Sequence, residues 1–167
     1  DVPNDAPAYV WQSGIIRPVP AFNPVSVDLL AGVDAQKAAI LENSRRLAAG
    51  AAAHDILLWG ARGTGKSALV KSTTKAVQDA GGTLRLVEAS CDEIDSLPAL
   101  FALLSPSDVP TLVFIDDIGF EQADPRMRHI RSVLDGGISA RPGHVRLYVT
   151  ANRRHIVPRN LEEQASA

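Results

Sequence analysis

The sequence predicts one α/β domain built on a mainly parallel sheet. From residue 56 onward, short apolar runs typical of buried strands alternate with amphipathic helical segments. A glycine-rich loop follows the first of these strands and opens a helix, and two adjacent acids end a later strand. Because strand–helix–strand connections of this length join neighbouring parallel strands, we expect a three-layer architecture with helices on both faces of the sheet.

The composition limits the class of protein. The chain has 167 residues, of which 46% are apolar and 22% charged, so it can bury a substantial core. No apolar run approaches the roughly 18 residues that a membrane-spanning helix needs, and the first residues carry neither the basic start nor the apolar segment of a secretory signal. A single cysteine, Cys91, excludes an internal disulfide. We therefore expect a cytoplasmic protein without membrane association.

The distribution of prolines predicts where the N-terminal segment ends and the core domain begins. Five of the eleven prolines fall within residues 1–24, where they remove backbone donors and bias the preceding residues towards extended geometry. We expect residues 1–24 to form an extended segment without regular structure. The predicted core covers residues 25–161, and residues 162–167 form a tail.

Apolar periodicity and turn residues predict the elements of the core. The first helix is predicted over residues 36–49, with Asp34 as its N-cap. Its predicted buried stripe consists of Ile40, Leu41, Leu47 and Ala48. Strands are predicted at residues 56–59, 83–89, 111–116 and 145–150. The helices between them are predicted over residues 67–80, 94–104 and 124–134.

The glycine-rich loop is the most specific motif. Residues 60–67 read GARGTGKS and match the phosphate-loop pattern G-x-x-x-x-G-K-[ST] between a strand and a helix. Glycines let backbone N–H groups turn towards an anion, and the helix N-terminus adds its positive dipole end. Lys66 is expected to contact the β- and γ-phosphates of a nucleotide, and the Ser67 hydroxyl to bind Mg²⁺. The predicted nucleotide-binding residues of this segment are Gly60, Ala61, Arg62, Gly63, Thr64, Gly65, Lys66, Ser67 and Ala68.

Polar residues follow two later strands. Asp116 and Asp117 end an apolar strand, at the carboxyl edge where open α/β sheets bind ligands. We expect Asp116 to complete the Mg²⁺ shell opposite Ser67, and Asp117 to orient an attacking water. Asn152 follows the last strand, where a carboxamide is placed to sense the γ-phosphate. The predicted catalytic residues are Lys66, Asp117 and Asn152, and the predicted metal ligands are Ser67 and Asp116.

These motifs resemble the AAA+ branch of the P-loop ATPases. GARGTGKS is similar to the Walker A motif, FIDD (114–117) to Walker B, and VTAN (149–152) to the strand carrying the sensor-1 asparagine. DLLAGVD (28–34) resembles the box that packs around adenine, which implies that Gly32 and Val33 lie beside the base. The segments LLWGARGTGKS, FIDDIGFE, LDGG and ANRRHIVPR resemble an uncharacterised bacterial family of AAA+ ATP-binding proteins over about residues 9–161. FIDDIGF is also similar to the Walker B motif of replication initiators and helicase loaders.

The resemblance implies a function, and the sequence departs from the AAA+ pattern in two ways. It implies ATP or ADP and Mg²⁺ as ligands, a homo-oligomer, and remodelling of a protein or nucleic-acid partner. Many AAA+ proteins have Glu at the position of Asp117, although initiator-type members use Asp. An intact AAA+ module also continues into an arginine finger and a C-terminal helical lid, and we expect residues 1–167 to end before these elements. Because an arginine finger contributes about 10³–10⁵ in rate, we expect nucleotide binding with weak hydrolysis.

Two alternatives stay open. GARGTGKS also fits the G-x-x-G-x-G-K-[ST] form of small-molecule kinases, for which Glu88, Asp92 and Glu93 would supply an acceptor site. A nucleotide-gated module that binds DNA or protein is the other alternative. Residues 1–125 carry a net charge of −7 and residues 126–167 one of +5, and such a basic end can contact phosphates or an acidic partner. Its arginines are Arg126, Arg128, Arg131, Arg141, Arg146, Arg153, Arg154 and Arg159.

Overall fold

The computed structural model describes residues 6–30, 34–60, 65–120, 128, 132 and 141–153. Within them lie six strands: β1 (Ala8–Gln12), β2 (Ile15–Val19), β3 (Ile56–Gly60), β4 (Arg85–Ser90), β5 (Thr111–Phe120) and β6 (Val145–Arg153). The helices are α1 (Asp34–Ala48), α2 (Lys66–Asp79) and α3 (Leu97–Leu104). Short 3-10 turns occupy Val27–Leu29 and Cys91–Ser96.

The six described strands form one sheet in the order β2-β1-β4-β5-β6-β3. All neighbouring strands are parallel except β1 and β2, which form an antiparallel hairpin. The four strands predicted from the sequence are therefore β3 to β6, and their parallel pairing is confirmed. In this order β6 lies between β3, which leads into the glycine-rich loop, and β5, which carries the two acids.

Two apolar clusters cover the two faces of the sheet. Alternate residues of each strand point to opposite faces, and the structure shows this in β5. Leu112 and Phe114 pack with buried residues of α1 and α2, including Ile40 and Val70. Val113 and its alternates pack instead with α3. The helices on both faces make the three layers that the sequence predicts.

The expectation that residues 1–24 lack regular structure was wrong. Ser13 and Gly14 both have positive φ, 53° and 76°, which gives the two-residue turn that matches the twist of a hairpin. Tyr9 and Trp11 are each 1% exposed and belong to the apolar cluster on the α3 face of the sheet, so their burial stabilises the hairpin. Pro18 is tolerated because it lies in β2, one of the two edge strands of the described sheet.

Helix α1 also differs from its prediction. It begins at Asp34 itself, so this residue lies in the first turn and is not the N-cap. Leu41 is only partly buried, whereas Asn43 and Ser44 are buried. These two polar side chains are stabilised by hydrogen bonds to the Tyr148 hydroxyl, each at 2.9 Å.

Other segments fall outside the described residues or extend the predictions. The structure describes only Arg128 and Ser132 of the helix predicted over residues 124–134, and both are helical. Strands β5 and β6 run past their predicted ends, to Phe120 and Arg153. Among the described residues, no helix is long and apolar enough to cross a membrane.

Candidate functional site

The glycine-rich loop connects the carboxyl end of β3 to the first turn of α2. Gly65 precedes the helix with φ of 84°, a left-handed conformation that favours glycine. Its carbonyl accepts the first hydrogen bond of the helix, from the Leu69 amide at 2.9 Å. Lys66, Ser67 and Ala68 are half-buried in the first turn, where the amide groups of a helix lack partners within the helix and favour an anion.

The strand order brings the predicted site segments to one edge of the sheet. The backbone of Asn152 in β6 pairs with Gly60 of β3 on one side and with Gly119 of β5 on the other. The end of the phosphate-loop strand and the end of the acidic strand therefore flank the same residue. Since these strands are parallel, all three ends lie at the carboxyl edge, where open α/β sheets bind ligands.

The two acids lie at an irregularity of β5. Ile115 pairs with Val149 and Ile118 pairs with Ala151, so the register shifts between them. Asp116 and Asp117 together lie opposite Thr150, as two residues opposite one do in a β-bulge. Bulges commonly occur beside functional sites, where they change the direction of a side chain.

The carboxylate of Asp116 has one hydrogen bond in the described part of the structure. The Thr150 hydroxyl donates to Asp116 Oδ1 at 2.5 Å. Asp116 is half-buried, and no described residue donates to its other oxygen. A carboxylate in this state retains oxygen lone pairs for a hydrated Mg²⁺, which usually keeps several waters and binds only one or two protein oxygens. The described residues include no cluster of three or more His, Cys, Asp or Glu side chains that could hold a metal ion.

Several predicted site residues lie outside the described part of the chain. They are Gly32, Val33, Ala61, Arg62, Gly63 and Thr64. The backbones of Gly60, Asp117 and Asn152 are described, but the side chains of the last two are not. The roles assigned to these residues therefore stay predictions.

Thr150 is the contact that sequence reasoning missed. In the sequence it is a polar residue after the apolar pair Tyr148 and Val149, two positions before Asn152. Its proximity to Asp116 depends on the pairing of β5 with β6, which are more than thirty residues apart in the chain.

Residues on which the two alternative functions depend form contacts within the fold. Glu88 forms an ion pair with Lys71 at 3.5 Å. Glu93 accepts hydrogen bonds from the Ser13 amide and the Ser96 hydroxyl, which attaches the hairpin to the turn after β4. Two of the three acids proposed for a kinase acceptor site therefore have structural partners.

Two arginines of the basic end also have structural partners. Arg141 forms an ion pair with Asp55, and the Arg146 guanidinium donates to backbone carbonyls, among them Ala53 at 2.9 Å. Both contacts lie near the amino ends of β3 and β6, away from the candidate site. The side chain of Arg153, at the carboxyl end, is outside the described residues. Arg128 is exposed.

Comparison with known proteins identifies a family and a fold. A family model described as "Protein of unknown function (DUF815)" matches residues 4–167. No curated protein is significantly similar to the chain. The structure of DnaA from Aquifex aeolicus bound to AMPPCP is similar with a TM-score of 0.51 and 16% identity, over 84% of this chain and 45% of that one.

Two other solved structures are similar at lower scores. The RuvB Holliday junction branch migration motor of Thermotoga maritima has a TM-score of 0.45 and 19% identity, over 79% of this chain and 42% of that one. A DNA replication initiation factor has a TM-score of 0.47 and 12% identity, over 89% and 48% of the two chains. The chain thus spans about half the length of the structures it resembles. Its fold is similar to that of the DnaA structure, and the mainly parallel sheet with helices on both faces is the architecture that the sequence predicts.

Proposed function

Since the chain belongs to the DUF815 family and has an AAA+ P-loop fold, we propose that it binds ATP with Mg²⁺ and hydrolyses it to ADP and phosphate. The observation that carries this proposal is the meeting of three strand ends at one edge. Gly60, which opens the phosphate loop, and Gly119, in the strand of the two acids, both pair with Asn152.

The phosphate groups are assigned to the loop and to α2. Amides of residues 60–68 and the Lys66 ammonium bind the phosphate oxygens and stabilise their charge. Ser67 and Asp116 would hold the metal ion, which supplies positive charge to the phosphates when bound. Gly32 and Val33 are assigned to the adenine, following the resemblance of residues 28–34 to the AAA+ adenine box.

The hydrolytic step is assigned to two residues at the carboxyl edge. Asp117 orients a water for in-line attack on the γ-phosphorus, while the bond from that phosphorus to the bridging oxygen breaks and ADP leaves. Asn152 contacts the γ-phosphate or the water and so distinguishes ATP from ADP.

Hydrolysis is proposed to need a second copy of the chain. The support for this proposal is the resemblance of the motifs in residues 60–67, 114–117 and 149–152 to those of AAA+ proteins, which implies a homo-oligomer. An arginine supplied by a neighbouring subunit contributes about 10³–10⁵ in rate in other phosphate-transfer enzymes. We expect the rate per chain to rise with protein concentration, and a rate independent of concentration would argue against assembly.

The target of this activity is proposed to be a protein. The engagement of Arg141 and Arg146 within the fold reduces the basic surface that a nucleic acid could contact. Fluorescence anisotropy with a labelled DNA duplex tests this, because phosphate contacts weaken steeply with salt. Salt-sensitive DNA binding would favour the nucleic-acid alternative.

The primary test is nucleotide binding by calorimetry. Lys66→Ala is expected to weaken ATP affinity by at least about 100-fold, because an ammonium on the phosphates is lost. Lys75→Ala is the matched control, since Lys75 lies on the same helix and pairs with Asp79 at 3.1 Å. Undiminished ATP binding by Lys66→Ala would overturn the proposal.

A further inference from the structure

Asp116 has a single described partner, and that partner is held rigidly. Thr150 is 1% exposed and lies in β6, between Leu58 of β3 and the bulge of β5. Its side chain is β-branched and therefore restricted about its first torsion angle. The hydroxyl that donates to Asp116 Oδ1 is thus fixed by strands on both sides.

The bulge determines which groups can meet. Thr150 faces two consecutive residues of β5 because the register shifts between Ile115 and Ile118. Asp116 is the first of the two, and the 2.5 Å hydrogen bond joins it to Thr150 across the strand pair. An exposed carboxylate without such a donor rotates about its terminal torsion angle, which has a broad energy profile.

We propose that Thr150 is a positioning residue for the metal-binding carboxylate: its hydroxyl fixes the plane of Asp116 through Oδ1 and leaves Oδ2 for the hydrated cation. This inference rests on the proposed function, because it takes Asp116 as a metal ligand. Groups that orient ligating side chains in this way typically change metal affinity by 10–100-fold when they are removed. Thr150 itself contacts neither the metal nor the nucleotide.

The test compares two variants of Thr150. Thr150→Val keeps the branched shape and removes the hydroxyl, whereas Thr150→Ser keeps the hydroxyl and removes the methyl group. Electron paramagnetic resonance measures Mn²⁺ binding to the protein with ADP, and fluorescence measures ADP affinity in EDTA. We expect Thr150→Val to weaken nucleotide-dependent Mn²⁺ binding by about tenfold, with metal-free ADP affinity unchanged and Thr150→Ser within about threefold of wild type.

A double-mutant cycle with Asp116→Asn separates positioning from packing. If Thr150 acts through Asp116, Thr150→Val adds nothing to the loss of Mn²⁺ affinity already caused by Asp116→Asn, because coupled residues are not additive. Additive losses would overturn the inference, as would a Thr150→Val protein with wild-type Mn²⁺ affinity. An equal loss of metal-free ADP affinity would also overturn it, because that loss reports general damage to the site.

The same experiment separates the inference from its premise. Wild-type protein that binds Mn²⁺ no better with ADP than without it contradicts the proposed function, and the inference fails with it. Wild-type protein with nucleotide-dependent Mn²⁺ binding that Thr150→Val leaves intact contradicts the inference alone. If Thr150→Val does not fold, Thr150→Ala replaces it in the same cycle with the same expected tenfold loss.

Discussion

The two ends of the parallel sheet both carry an aspartate, but the two carboxylates have different surroundings. At the amino end, Asp55 accepts hydrogen bonds from the Leu147 amide at 2.8 Å and from Arg141, whose charge it neutralises. At the carboxyl end, Asp116 accepts one hydrogen bond, from Thr150. Both residues are half-buried, so the difference lies in their partners.

This difference separates structural polar groups from groups available to a ligand. A buried charge is tolerated when it is paired and hydrogen-bonded, and Asp55 meets both conditions within the fold. No described cation pairs with Asp116, which lies at the same carboxyl edge of the sheet as the end of β3. We infer that the polar groups at the amino end of the sheet stabilise the fold, whereas those at the carboxyl end bind nucleotide and metal.

The largest expected effect is at the carboxyl end. Asp116→Asn keeps an oxygen that accepts from Thr150 but replaces the second oxygen, and with it the negative charge, by an amide that cannot bind Mg²⁺. We expect the Mg²⁺-dependent rate of phosphate release to fall by at least about 100-fold. The free energy of unfolding without nucleotide is expected to change by less than about 1 kcal/mol, because no described ion pair is broken.

The measurements are a phosphate-release assay and urea unfolding of the nucleotide-free protein. If Asp116→Asn lowered the free energy of unfolding as much as Asp55→Asn does, the distinction between the two ends of the sheet would be lost.

The matching change at the amino end is expected to give the opposite pattern. Asp55→Asn removes the charge that compensates Arg141, which is itself only 17% exposed. Breaking this partly buried ion pair leaves an uncompensated charge, and we expect a loss of about 2 kcal/mol in the free energy of unfolding. Calorimetry at a temperature where the variant is folded should give ATP affinity within about twofold of wild type. A large loss of affinity in folded Asp55→Asn would contradict the division between the ends.

The contrast also explains which parts of the fold the sequence could predict. Buried parallel strands are continuous apolar runs, so β3 to β6 could be recognised locally. The hairpin could not, because the prolines of residues 1–24 obscured a turn that depends on the positive φ of Ser13 and Gly14. In α1, Asn43 and Ser44 are buried because Tyr148, far along the chain, supplies their partner.

The candidate site also has one part that the sequence could predict and one part that it could not. The phosphate loop is a contiguous motif with a fixed spacing, so residues 60–67 could be identified from the sequence alone. The contact between Asp116 and Thr150 depends on which strands are neighbours and on a bulge that shifts their register. Neither the strand order nor the bulge is a local property of the sequence.

The smallest expected effect concerns Tyr148, whose hydroxyl lies on the α1 side of β6. Burial raises the pKa of the Tyr148 phenol above its ordinary value near 10, and hydrogen bonds from Ser44 and Asn43 oppose this shift in part. Tyr148→Phe removes the shared partner of two buried polar side chains. We expect a loss of about 1–2 kcal/mol in the free energy of unfolding at pH 8, with ATP affinity unchanged.

The raised pKa of Tyr148 also predicts how the stability difference between wild type and Tyr148→Phe changes with pH. Above pH 10 the unfolded chain releases the phenol proton while the folded protein still holds it, so folding stability falls as pH rises towards the raised pKa. Phenylalanine has no such proton, and the stability advantage of wild type over Tyr148→Phe should therefore shrink between pH 8 and pH 11. Urea unfolding of both proteins at the two pH values measures this difference. An advantage that stays constant or grows would contradict a raised pKa of Tyr148 in the folded protein.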